Sequence, residues 1–167
     1  MAPVKEPFEK VYEKHFSEIY NYVYSQLLHR EKAEDLVSEV FIKAMLHYDS
    51  YDPTRTTPRT WLTRIARNTL IDEYRKTANK KFISLDDEEN EVEPSYEDEY
   101  DIFRQEEEKE VYRIMSLLTP SERELLGMIY FEEMSNPEIG EVLGINAKAV
   151  SERHRRLLVK CRKLAEA

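Results

Sequence analysis

Pro58-Arg59-Thr60-Trp61-Leu62-Thr63-Arg64-Ile65-Ala66-Arg67-Asn68-Thr69-Leu70-Ile71-Asp72-Glu73-Tyr74-Arg75-Lys76 contains the single tryptophan of the chain. Trp61, Leu62, Ile65, Ala66, Thr69 and Leu70 recur at helical spacing, which predicts an amphipathic helix with one apolar side. The other side carries Arg64, Arg67, Asn68 and Arg75. A basic face is out of character in a chain of 167 residues with a formal charge of −9. An ordinary solvated surface is one account of it. A surface that meets nucleic acid is the other. The flanking segments decide between the two.

Upstream, Phe8, Val11, Tyr12, Phe16, Ile19, Tyr20, Val23, Tyr24 and Leu27 form one helical stripe, expected to face a core. A second helix is expected from about Arg30 to Tyr48. Leu36, Val37, Val40, Phe41, Ala44 and Met45 point inward, and Glu31, Glu34, Asp35, Ser38, Glu39 and Lys43 point outward. Residues 49–58, with Pro53, Pro58 and several small polar side chains, read as a loop. Three such stripes can bury one another as a small helical domain.

Downstream, the charge is unevenly placed. Residues 84–110 hold 14 acidic and 2 basic groups, whereas residues 1–83 hold 12 and 14, and residues 119–167 hold 8 of each. The acidity of the whole therefore says little about what the two ends bind. Residues 84–102 are poor in aliphatic side chains and are expected to form a flexible linker. A second domain spans 103–167. Its first helix, from about Phe103 to Leu118, carries the stripe Val111, Ile114, Met115 and Leu118. Thr119-Pro120-Ser121-Glu122 and Ser135-Asn136-Pro137-Glu138 are two capping boxes. The first opens a helix continued by Leu125, Leu126, Ile129 and Tyr130. The second opens a short helix with Ile139, Val142 and Leu143 inside. Gly144 can take the positive φ that ends it, and Asn146 can cap a last helix with Val150, Leu157, Leu158, Cys161 and Leu164 inside.

The pair of helices joined through Leu143-Gly144-Ile145-Asn146 reads as a helix-turn-helix, with Gly140 at the close approach and Ile145 and Val150 plugging the angle. The last helix presents Lys148, Ser151, Glu152, Arg153, Arg155 and Arg156, suited to a major groove. Arginine pairs with guanine or phosphate there; a glutamate accepts from cytosine N4 but repels phosphate. His154 is expected to be packed and neutral, or to reach a phosphate.

Other functions find little support. Glycine occurs only at Gly127, Gly140 and Gly144, so the first 126 residues hold no phosphate-binding glycine loop. His15, His29, His47 and His154 are dispersed, and no cluster has metal-ligand spacing. No nucleophile motif is present. No catalytic residue, metal or cofactor is expected. Cys161 alone excludes an intrachain disulfide. Without a signal peptide or a run near the ~20 residues of a membrane span, a soluble, cytoplasmic protein with no membrane insertion of its own is expected.

Taken in order, these segments resemble an extracytoplasmic-function-type bacterial sigma factor, the group that keeps only regions two and four. Ala33-Glu34-Asp35-Leu36-Val37-Ser38-Glu39-Val40-Phe41 is similar to the family's core-polymerase-binding helix, Trp61 to Asp72 to its promoter-melting helix, and Leu118 to Glu124 with Ser135 to Val150 to region four. The resemblance implies an all-α fold. Two small helical domains, 1–83 and 103–167, would be joined by the flexible acidic linker 84–102, the second domain being a helix-turn-helix. It implies core RNA polymerase and promoter DNA as partners, with an anti-sigma factor as inhibitor. Glu34, Asp35 and Glu39, supported by Phe41, would dock on polymerase. The loop before the melting helix would capture a flipped minus-ten base, and that helix would hold the separated strand; the residues concerned are Tyr51, Arg55, Arg59, Thr60, Trp61, Arg64, Arg67 and Asn68. The last helix would read the minus-thirty-five element through Lys148, Ser151, Glu152, Arg153, Arg155 and Arg156. Members often carry a Lys-Ser or Arg-Ser pair after the valine, where this chain has Ser151-Glu152, which implies an unusual minus-thirty-five preference. The linker carboxylates Asp86, Asp87, Glu88 and Glu89 would stand in for RNA phosphates. The rival reading is a helix-turn-helix regulator that does not engage polymerase; the acidic docking helix beside a basic melting helix disfavours it.

Overall fold

The computed structural model describes residues 4–83 and 106–167. The expected linker 84–102 lies outside the described residues, as does the start of the helix expected from Phe103. Among the described residues every regular element is helical. The order is α1 (Phe8–Leu27), α2 (Arg30–His47), a 3₁₀ turn (Tyr48–Ser50), α3 (Pro58–Ile83), α4 (Glu106–Ser116), α5 (Pro120–Leu126), a π-helical turn (Gly127–Phe131), α6 (Asn136–Leu143) and α7 (Ala147–Glu166).

Local chemistry sets most of these ends. Leu28 closes α1 in the left-handed region (φ 53°), a conformation costly for leucine that its complete burial offsets. The ring Nδ1 of His29 accepts from Lys32 N and caps α2. Thr57 Oγ1 accepts from Thr60 N just ahead of Pro58, the first residue of α3. Both expected capping boxes form, Thr119 with Glu122 and Ser135 with Glu138.

The first three helices enclose Val11, Ile19, Val23, Leu36, Val37, Val40, Leu62, Ala66 and Leu70, all buried. The last four enclose Met115, Leu118, Leu125, Met128, Ile139, Val142, Val150 and Leu157. The two halves pack on each other. α5 and the π turn lie along α1, where a Cβ on Gly127 would stand 2.9 Å from Ser25 Oγ and 3.0 Å from the Tyr22 ring. A side chain at this position would press on those two α1 side chains, so glycine suits the close packing. The rings of Tyr24 and Tyr112 meet edge to face at 5.7 Å across the same junction.

That packing corrects several expectations. Tyr22, Ser25 and Gln26 lie off the stripe expected for α1, yet all are buried, because the second half covers that side. Tyr12 and Phe16 lie on the stripe and stay partly exposed, forming an aromatic row with Phe41. Met45, Val111 and Leu158, expected inside, are exposed: the neighbouring helices do not extend over them, and Tyr112 takes the inward position in α4.

Candidate nucleic-acid interface

α3 sets Arg59, Thr63 and Arg67 at i, i+4 and i+8, a row about 12 Å long on one side of the helix. Arg64 lies beside it. Every one of these side chains meets the second half of the chain. Arg59 Nη1 donates to the Glu132 carbonyl at 2.8 Å, and Nη2 reaches Glu138 Oε2 at 3.3 Å. Arg64 Nη2 donates to the Glu141 carbonyl at 3.0 Å and pairs with its carboxylate at 3.2 Å. Arg67 Nε pairs with Glu124 Oε1. Asn68 is exposed.

Thr63 and Glu132 are fully buried between these pairs. Thr63 Oγ1 lies 2.8 Å from the Arg59 carbonyl and 2.9 and 3.0 Å from the two Glu132 carboxyl oxygens. One hydroxyl proton cannot serve both groups. Burial pushes the Glu132 carboxyl up to about 8, against the Thr63 hydrogen bond; Glu18 and Glu138 raise it further and Arg59 opposes. A protonated Glu132 can donate to Thr63 Oγ1, which frees the threonine proton for the Arg59 carbonyl. Burial also raises Glu124, although Arg67 opposes it. Burial alone would raise Glu138, but donation from Ser135 and the charge of Arg59 prevail and lower it.

The loop before α3 is tied inward. Tyr51 is buried, its hydroxyl donating to the Thr56 carbonyl at 2.8 Å and its ring 4.8 Å from Trp61. Trp61 is half-buried and also meets Tyr48 at 6.0 Å. Thr60 is buried with its hydroxyl against Thr57. The burial of Tyr51 and Thr60 suits the support of Trp61 and the loop better than direct contact with DNA. Arg55 is exposed, 3.6 Å from Asp52.

The helix-turn-helix forms as the glycines require. A Cβ on Gly140 would lie 2.4 Å from the Ile145 carbonyl oxygen, and Gly144 has φ 73°. Asn146 Oδ1 accepts from Ala149 N at 2.8 Å and starts α7. Lys148, Ser151, Glu152, Arg153, Arg155 and Arg156 are all exposed. Lys148, Ser151, Glu152 and Arg155 share the outer face, where Arg155 pairs with Glu152 at 3.3 Å. Arg153 and Arg156 border a cleft of about 500 Å³ shared with Arg67 and Glu124. His154 is half-buried, its Nε2 3.1 Å from the Tyr130 hydroxyl.

On α2, Glu34, Asp35 and Glu39 are exposed, with Glu34 paired to Arg30 and Glu39 to Lys43, both at 3.1 Å. Phe41 is buried beneath Tyr12 and Phe16. Ile42 and Leu46 extend the row of Asp35 and Glu39 at helical spacing and are exposed. Sequence reasoning passes over these two, although apolar side chains on the outer side of an amphipathic helix are the available signal. It also misses Thr63, Glu124, Glu132 and Glu141, whose partners lie 57 to 77 positions away and leave no local pattern. Among the described residues no His, Cys, Asp and Glu group could hold a metal ion, and no helix is long and apolar enough to cross a membrane.

Two family models match the chain, Sigma-70 region 2 over residues 11–80 and Sigma-70 region 4 over residues 114–163. The chain is 32% identical over 161 residues to the ECF RNA polymerase sigma factor SigM of Bacillus subtilis, covering 90% of this chain and 91% of that protein. It is 28% identical over 148 residues to the RNA polymerase sigma factor YlaC of the same organism, covering 88% and 85%. Among solved structures, CnrH in complex with the cytosolic domain of CnrY matches with a TM-score of 0.68 at 26% identity, over 95% of this chain and 87% of that one. The fold is also that of the sigma factor RpoE bound to the anti-sigma factor NepR from Bartonella quintana, with a TM-score of 0.76 at 18% identity over 96% and 97%.

Proposed function

We propose a division of labour for this chain, which belongs to the ECF family of RNA polymerase sigma factors. It is an alternative sigma factor that binds core RNA polymerase and directs promoter-specific transcription initiation. Region two takes 1–83, the linker 84–102 and region four 103–167. Glu34, Asp35 and Glu39 on α2 dock on the polymerase, with Ile42 and Leu46 adding apolar area along the same row and Phe41 holding the helix from beneath. Arg64, Arg67 and Asn68 hold the separated minus-ten strand, with Arg55, Arg59 and Trp61 at the edge where a flipped base is captured. Stacking contributes about 1–3 kcal/mol per base, and arginine follows the backbone. Tyr51 and Thr60 position Trp61. Lys148, Ser151, Glu152 and Arg155 read the minus-thirty-five element, and Arg153 and Arg156 contact phosphate beside them.

One observation carries this reading: α2 and α3 pack as neighbours, one with an acidic exposed face and one with a basic side, in the chain that also carries the helix-turn-helix. A regulator that only binds duplex DNA has no use for that pairing. The catalytic groups belong to the polymerase, and the chain supplies specificity in the cytoplasm. The two solved relatives above are held by CnrY and by NepR; an anti-sigma factor is the partner proposed to hold this chain inactive. Transcription with purified core polymerase on a promoter library tests the assignment. Initiation from a defined promoter class is expected, and failure at every sequence would reject it.

A further inference from the structure

The segment ahead of α1 is laid against the turn that leads into the loop before α3. Lys5 Nζ donates to the Tyr48 carbonyl and stands 4.5 Å from the centroid of the Tyr48 ring and 5.8 Å from that of Tyr51. The Tyr48 hydroxyl donates to the Glu6 carbonyl, and the Phe8 ring meets the Tyr48 ring edge to face at 5.4 Å. Residues 5–8 thus grip one tyrosine by its carbonyl, its ring and its hydroxyl. The strap is itself fixed: Lys14 Nζ pairs with Glu6 Oε1 at 2.6 Å, and Lys10 N donates to the Pro7 carbonyl at 3.0 Å.

Tyr48 joins this strap to the loop. Its carbonyl also accepts from Tyr51 N at 3.0 Å, which closes the 3₁₀ turn, so the Lys5 ammonium takes a second lone pair of the oxygen that sets the turn. The Tyr48 ring lies 5.8 Å from Tyr51 and 6.0 Å from Trp61, and those two lie 4.8 Å apart. Tyr51 passes the restraint on through its hydroxyl, which donates to the Thr56 carbonyl at 2.8 Å. An ammonium over a tyrosine face is held by the ring quadrupole as well as by the carbonyl. The core of region two does not include Lys5, which is exposed; its ammonium nevertheless turns back onto the tyrosine.

We propose that Lys5 is a positioning residue for base capture: through Tyr48 it fixes the turn and the seat of Trp61, and with them the geometry in which the loop before α3 receives the flipped minus-ten base. The proposal rests on the assignment of this edge to base capture. Its consequence is selective. Loss of Lys5 slows promoter opening and leaves docking by α2 and duplex binding by α7 as they are.

The test uses the full chain, alone and with core polymerase. Lys5→Ala is compared with Lys5→Arg, which keeps a cation able to donate to the carbonyl and lie over the ring. The control is Lys10→Ala, which removes the same charge from an exposed site on α1. Trp61 is the single tryptophan, so its emission and its quenching by acrylamide report the cluster in the free chain. Well below the melting temperature a change in stability alone does not move either signal. Permanganate reactivity of minus-ten thymines gives the rate of opening, and titration with core polymerase gives the affinity for it. Lys5→Ala is expected to shift the Trp61 emission, raise its quenching and slow opening by about twofold to fivefold, with polymerase affinity unchanged. Lys5→Arg is expected to restore both signal and rate, and Lys10→Ala to disturb neither. An unmoved Trp61 signal, normal opening despite a moved signal, equal slowing in the control, or no rescue by Lys5→Arg would each overturn the proposal. Trp61→Leu separates the two layers and is expected to slow opening. Normal opening in that variant would strike the assignment of base capture to this edge. Slow opening there with normal opening in Lys5→Ala would strike the role of Lys5 alone.

Discussion

α3 and α7 are two basic helices of this molecule, and they end in opposite conditions. Arg59, Arg64 and Arg67 of α3 each meet a carboxylate of the other half. Lys148, Arg153, Arg155 and Arg156 of α7 face solvent, and the ion pair that Arg155 makes with Glu152 lies within the helix. Both helices present arginines on one side; what differs is what the fold lays against them. α7 packs on the short α6 and leaves its outer face free for a groove. α3 lies between α2 and region four and is covered on both sides. A basic helix is thus open to a partner in this conformation only where the tertiary arrangement leaves it uncovered.

Removing one of the two helices from play tests the contrast most severely. Gly140→Val places side-chain atoms where a Cβ already lies 2.4 Å from the Ile145 carbonyl oxygen. A cost of about 3 kcal/mol is expected, at the upper end for overpacking because backbone must move. Thermal melting should show it, and affinity for minus-thirty-five duplex should be lost. The complement is Arg64→Ala with Arg67→Ala. Polymerase carrying this variant is expected to recruit normally yet open the promoter more slowly by about 2 kcal/mol, in line with lost strand contacts. Permanganate reactivity of minus-ten thymines measures it, and unchanged opening would contradict the role of α3.

The junction between region four and α3 carries its own signature in pH. Glu132 titrates near 4.5 when free and near 8 when buried. Between those values the folded chain holds a proton that the unfolded chain has released. The stabilising contribution is therefore full below about 4.5 and is lost as pH rises toward and through 8. The melting temperature of the wild-type chain is expected to fall between about pH 5 and pH 9 by an amount that Glu132→Gln removes. An equal slope in both would mean that another group is responsible. On α7, Arg155→Ala should weaken duplex binding by about 1–2 kcal/mol and reduce its salt dependence, with promoter opening unaffected once DNA is bound. The smallest effect is expected from Leu158→Ser. Leu158 is 40% exposed, so its stability change should stay within about 0.5 kcal/mol. A large loss on melting would show that a partner element covers it.

Much of the architecture is legible before any coordinates. The stripes of Leu62, Ala66 and Leu70, or of Val150 and Leu157, repeat at helical spacing because one side of each helix must leave water. The two capping boxes and Gly144 fix where helices begin and stop, through hydrogen bonds and a positive φ between near neighbours. Positions covered by the other half are different in kind. Tyr22, Ser25 and Gln26 read as solvent-facing from α1 alone, yet they are buried. Of the adjacent carboxylates Glu132 and Glu133, the first is buried and the second exposed, a difference that no local pattern announces.

Helices, turns, the helix-turn-helix and the basic character of two faces were all readable from the chain, because each depends on residues a few positions apart. That Arg59, Arg64 and Arg67 are neutralised while Lys148 and Arg155 stay open emerged only from the packing of the two halves. The physical reason is range. Caps and stripes are settled within a turn or two of helix, whereas a guanidinium takes whichever carboxylate the packing of distant helices brings within about 4 Å.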